Sequence, residues 1–186
     1  MTCVVAVRGH DGKICLAGDS SAVDENLIFK RVTPKVFLLG EFGIGYCHSF
    51  RLGQIIQYFF KPPVIPKEAQ EKDIIQYMVT KFIPALKSVL EANDYPTQDD
   101  EKTDWSIIVC IRGMIFTIES DFHVGHDYVP FSAIGAGTEY ALGSMQTNAG
   151  SERKEVNAKL VAEEALRVAE YFSPNVSGPF DFLEIR

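Results

Sequence analysis

Three residues in the first part of the chain, Thr2, Asp19 and Lys35, have the types needed for one piece of chemistry. A methionine followed by a small residue is ordinarily trimmed in the cell, and removal of Met1 would leave Thr2 with a free α-amine beside its own hydroxyl. A threonine hydroxyl is a poor nucleophile until a base takes its proton. An α-amine, with an unperturbed pKa of about 7.7–8.0, is such a base near neutral pH. A lysine brought close would lower the pKa of that amine by like-charge repulsion, and an aspartate beside the lysine would keep the lysine protonated.

Other reactive groupings are weaker. Asp121, His123, His126 and Asp127 share one short stretch, but their spacing matches no zinc-protease motif and reads as a polar loop, so no metal site is expected. Gly135-Ala136-Gly137 follows a strand and precedes a helix, yet Tyr140 stands where a dinucleotide fingerprint needs its third glycine, and the βαβ setting is missing. His48 lies between Cys47 and Ser49. Neighbours on a strand point to opposite faces, which makes them poor catalytic pairs and leaves His48 a wall of a cleft.

For Thr2 to act, the elements around it must pin the start of the chain. Thr2 to Val7 and Lys13 to Gly18 read as strands joined by a turn at Gly9-His10-Asp11-Gly12, a hairpin that begins at the N-terminus. Val36 to Leu39 and Gly43 to Cys47 form another pair. Helical spacing then runs from Phe50 to Phe60, ending before Pro62-Pro63, and from Lys67 to Asn93, with Pro84 as a kink point. Gln98-Asp99-Asp100-Glu101-Lys102 reads as an exposed acidic loop. Strands at Trp105–Ile111, Met114–Glu119 and Phe131–Ile134 precede helices at Gly137–Ala149 and Glu155–Phe172, and Phe180–Ile185 is a last strand. This order predicts α+β architecture, two antiparallel sheets face to face with a helix pair outside each, in one domain spanning 1–186.

Bulk properties exclude several classes. The net charge of −7 argues against a nucleic-acid partner, which would demand a basic face. No run approaches the ~20 apolar residues of a membrane span, and the start lacks a secretory signal, so a cytoplasmic protein is expected. Cys3, Cys15, Cys47 and Cys110 lie in predicted strands without metal-ligand spacing and read as small core residues.

Four segments together resemble the proteasome β-type subunits, including the HslV peptidase, of the N-terminal-nucleophile hydrolases. They are Thr2-Cys3-Val4-Val5-Ala6-Val7-Arg8, Leu16-Ala17-Gly18-Asp19-Ser20, Pro34-Lys35-Val36, and Ala133-Ile134-Gly135-Ala136-Gly137-Thr138-Glu139-Tyr140-Ala141-Leu142-Gly143. The resemblance covers nearly the whole chain and is weakest between Lys61 and Asp104. It implies a four-layer αββα sandwich, and a threonine endopeptidase with Thr2 as nucleophile, Asp19 and Lys35 as its partners, and no propeptide beyond Met1. An ungapped alignment from Lys35 implies that the backbone N–H of Ser49 is the oxyanion donor. The same alignment puts Ala22, Thr33, Phe37, Cys47 and Arg51 around the substrate pocket, with substrate backbone pairing near Val23 and Ser49. Ser177 is implied as a supporting hydroxyl. Two positions depart from the family pattern, Ala136 where active members usually have Ser, and Pro174 where they have Asp. The implied setting is a homo-oligomer of stacked rings that needs no cofactor and acts on unfolded proteins or peptides, fed by a hexameric ATPase. A structural ring subunit with Thr2 unused, and an amidase acting on a small amide, are the alternatives.

Overall fold

The strand that follows Thr2 is interior to its sheet. The computed structural model describes residues 2–24, 27–96, 104–150 and 155–186; the acidic stretch 98–102 lies outside them. Strand β1 (Cys3–Arg8) pairs antiparallel with β2 (Ile14–Asp19) on one side and with β10 (Phe131–Gly135) on the other. Strand β11 (Phe180–Ile185) adds outside β2, giving the order β10-β1-β2-β11. A second sheet runs β5 (Val36–Leu39), β6 (Phe42–Tyr46), β7 (Ser106–Ile111), β8 (Met114–Glu119), β9 (Val124–Gly125). Between them in sequence, β3 (Ser21–Asp24) and β4 (Leu27–Lys30) form a separate two-stranded ribbon.

Strands such as Cys-Val-Val-Ala-Val are apolar at successive positions, and alternate side chains leave opposite faces, so both faces of the sheet need cover. Cys3, Val5 and Val7 pack with Ala141, Met145, Ala165 and Ala169 of helices α4 (Thr138–Ala149) and α5 (Ala158–Phe172). Val4, Ala6 and Leu16 pack with Val36, Ile108 and Cys110 of the other sheet. On that sheet's far face, Ile44, Tyr46 and Val109 meet Leu52, Ile56, Phe82 and Leu86 of the remaining helical segments.

Those segments are α1 (Phe50–Phe59), α2 (Glu71–Tyr77) and α3 (Ile83–Glu91). The predicted 67–93 helix is interrupted by a π turn at Met78–Phe82, where the Ile83 N–H donates to the Met78 carbonyl. Proline has no N–H and its ring crowds the carbonyl four residues back, so one widened turn just before Pro84 absorbs the misfit. The β3–β4 ribbon and β9 were not predicted. The Asp121–Asp127 stretch is polar as expected: the His123 N–H donates to Asp121 at 2.8 Å, and His126 Nδ1 lies 2.7 Å from the Ile115 carbonyl.

All four cysteines are free and buried. Burial pushes the Cys3 thiol up to about 12 and those of Cys15 and Cys47 up to about 11, from an ordinary 9.0, and raises Cys110 as well. Above pH 9 the unfolded chain loses thiol protons that the folded chain keeps, so each thiol subtracts stability, about 1 kcal/mol per pH unit. Lys35 has the opposite sign. Its ammonium is pulled below 10.5 by burial, so the unfolded chain holds the extra proton and stability from this group rises with pH. Four thiols outweigh one amine, and the urea midpoint should fall steadily from pH 9 to 10; a flat or rising midpoint would contradict this burial pattern.

Gly135 makes a second prediction. Its φ is +95°, and a Cβ there would lie 2.2 Å from the carbonyl oxygen of Thr2. Gly135→Ala should cost about 2–3 kcal/mol in denaturant unfolding, from backbone strain plus overpacking, because the obstructing atom is backbone and cannot swing away.

Candidate active site

Asp19 stands at the end of β2, beside the start of β1, and its carboxylate closes a small polar knot inside an apolar surround. Oδ1 accepts from the Cys3 N–H at 2.9 Å and from Lys35 Nζ at 2.9 Å. Oδ2 accepts from the Ser21 N–H at 3.2 Å and from the Ser21 hydroxyl. Lys35, the residue before β5, also donates to the Ser21 carbonyl at 2.5 Å. The Asp19 and Lys35 side chains are both fully buried.

Burial pulls the Lys35 ammonium below its ordinary value, while the Asp19 carboxylate and its hydrogen bond pull the other way. Lys35 is therefore one carboxylate oxygen away from the peptide that joins Thr2 to Cys3. The expected Asp19–Lys35 pairing is thus present, with Thr2 buried beside it. Sequence reasoning missed Ser21, which contributes three groups to the knot. The nearby Ser20 hydroxyl is buried and has no hydrogen-bond partner among the described residues.

Thr2 is backed by the Gly135 turn, whose carbonyl accepts from the Thr138 hydroxyl at 2.6 Å as α4 begins. Ala136 lies in this turn and is half-buried. The segment leading into α1 lies on the same side, since Cys47 Cβ is 3.4 Å from the position a Cβ of Gly135 would take. His48 has φ +68°, and the Ser49 N–H donates to the Cys47 carbonyl at 2.9 Å, forming a tight three-residue turn. This turn breaks strand alternation and brings His48 Nδ1 to 3.0 Å from Cys47 Sγ, where opposite faces were expected. The thiol is nonetheless no nucleophile at neutral pH, because burial holds it near 11. The Ser49 side chain caps α1, accepting from the Leu52 N–H at 3.1 Å.

The predicted pocket residues divide into buried and exposed sets. Ala22 is buried on β3 and Val23 half-buried beside it; Thr33 and Arg51 are exposed. Phe37 packs into the helix-side core against Tyr46, and Cys47 into the core between the sheets. Ser177 follows α5 and accepts from Lys30 Nζ of β4 at 2.5 Å; Lys30 also donates to the Gly178 carbonyl. Pro174 is exposed, and the Asn175 carbonyl lies 3.4 Å from the Ser21 hydroxyl. Phe50 was not anticipated, yet its ring centroid is 5.9 Å from Lys35 Nζ.

Among the described residues no three His, Cys, Asp or Glu side chains are grouped to hold a metal, and no helix is long and apolar enough to cross a membrane.

No protein-family model and no curated protein sequence matches the chain. Solved structures do match in shape. BPH of Thiobacillus denitrificans superposes with a TM-score of 0.76 at 19% identity, covering 99% of this chain and 97% of that one, and has also been solved in complex with epoxomicin. HslV from Trypanosoma brucei gives 0.72 at 17% identity, covering 99% of both chains. Anbu, an ancestral beta-subunit from Yersinia bercovieri, gives 0.70 at 13%, covering 99% of this chain and 81% of that one. The polar knot at the head of β1 therefore sits in the proteasome-type fold that these structures share.

Proposed function

We propose that the chain is a threonine-type endopeptidase subunit of a self-compartmentalising ring protease, with Thr2 as nucleophile once Met1 is removed. The observation that carries this reading is the buried Asp19–Lys35 pair attached to the first peptide of β1. A buried cation there keeps a freed Thr2 amine neutral at working pH, and so able to act as a base. The amine, directly or through water, takes the hydroxyl proton, and Thr2 Oγ1 attacks a peptide carbonyl. The collapsing tetrahedral intermediate expels the amine product, which leaves with that proton. Water then cleaves the Thr2 ester, releasing the acid product and restoring the hydroxyl. Substrate pairs as a strand beside Val23, since β3 has a partner strand on one side only among the described residues.

The oxyanion donor in this reading is the Ser49 N–H. Because that N–H bonds the Cys47 carbonyl, substrate binding has to turn the His48–Ser49 peptide toward the cleft. The three stacked core clusters support a four-layer αββα sandwich. Exposed Tyr140, Leu160, Tyr171 and Phe172 on α4 and α5 offer an apolar face for self-association into stacked rings. The reading extends to unfolded proteins as substrates, a hexameric ATPase as feeder and the cytoplasm as location.

A second reading, a ring subunit without activity, is favoured by the occupied Ser49 N–H together with Ala136 and Pro174. Intact mass before and after an epoxyketone that captures hydroxyl and amine together separates the two. Loss of one methionine and gain of one adduct per chain is expected. A processed chain that takes no adduct would leave only the structural subunit.

Mutation separates charge from fold. Lys35→Met should abolish peptide hydrolysis and cost about 3–5 kcal/mol, since it leaves Asp19 buried and unpaired. Adding Asp19→Asn should restore at least part of the lost stability, read by urea unfolding, and none of the activity. Activity in the double variant would remove Lys35 from the mechanism.

A further inference from the structure

Arg31 is held at the edge of the polar knot in a way that fits neither solvation nor packing alone. Its N–H donates to the Ser20 carbonyl at 2.9 Å, which ties its backbone to the residue directly after Asp19. Its guanidinium lies 5.5 Å from the ring centroid of Phe29 on β4 and 5.7 Å from that of Phe50 at the start of α1. The same Phe50 ring lies 5.9 Å from Lys35 Nζ, so the Arg31 guanidinium and the buried ammonium share one aromatic neighbour. Two rings on separate elements fix a side chain that would otherwise sample many rotamers.

Among the described residues Arg31 has no carboxylate partner, although it is exposed and anchored. Local charge reinforces it: the first turn of α1 contains no acidic residue and carries Arg51. A guanidinium presents a planar fork of donors that matches a carboxylate, and a clamped one loses little freedom on binding it.

From these contacts we infer that Arg31, clamped by Phe29 and Phe50, is a specificity residue that selects an acidic side chain on the substrate, at the residue whose carbonyl Thr2 attacks. The inference rests on the peptidase reading for the identity of the substrate. Its recognition step is testable without turnover.

The Thr2→Ala protein is titrated, by fluorescence anisotropy, with labelled peptides that differ only in Glu or Gln at that residue. The Glu peptide should bind about fivefold more tightly at low salt, the scale of an exposed charge pair, and the ratio should shrink as salt is raised. In Arg31→Gln the ratio should collapse to about one, and in Arg31→Glu a Lys peptide should replace the Glu peptide as the preferred ligand; circular dichroism checks that the variants stay folded. Equal binding of Glu and Gln peptides, or a Glu preference that survives Arg31→Gln, overturns the inference. If the preference holds in binding while the Thr2 protein cleaves neither peptide, the peptidase reading fails and the recognition role stands.

Discussion

The buried pair of Asp19 and Lys35 joins the end of one sheet to the start of the other, and most of the local structure exists to satisfy it. Two charges removed from water cost several kcal/mol each, and their mutual attraction repays this only if the remaining donors and acceptors are also used. Here each carboxylate oxygen has two donors, drawn from β1, from Ser21 at the start of β3 and from Lys35. A neutral pair of similar size would in general be as stable or more so. Stability alone therefore does not explain the pair, and the proposed peptidase reading gives the positive charge beside the first peptide of β1 a use.

Much of this arrangement was legible in the sequence, for reasons that differ by residue. The β1–β2 hairpin could be read because Gly9 and Gly12 bracket a turn between two apolar runs, and the resemblance then pointed to Asp19 and Lys35. Ser21 could not be read, since its carbonyl and N–H contribute as much as its side chain and any residue type supplies those. The β3–β4 ribbon escaped because Leu27 to Lys30 is exposed throughout, so no buried face imposes a pattern on it. Phe37, expected at the pocket from the alignment, faces the helix side of its sheet beside Tyr46, as strand alternation after Val36 requires.

The cleft side of the site depends on joins between elements that sequence spacing does not encode. Phe29 and Arg31 lie together at the end of β4, whereas Phe50 follows two further strands, so the second half of the clamp exists only once α1 is docked. That docking is close: a Cβ on Gly53 would lie 2.2 Å from the Tyr46 ring, so the aromatic lies flat against the helix backbone and sets its height over the sheet. The turn at His48, with its positive φ, is where the chain changes direction between that sheet and that helix.

The interior position of β1 also bears on time. Strand β1 leaves the ribosome well before β10 and β11, which complete its sheet and come much later in the sequence. Contacts of such long sequence separation form slowly, and chains emerge at about 5–20 residues per second. The sheet that frames Thr2 cannot close before β11 has been made. Until then the nascent chain holds the parts of the site without their assembly, and the order of the strands itself delays its maturation.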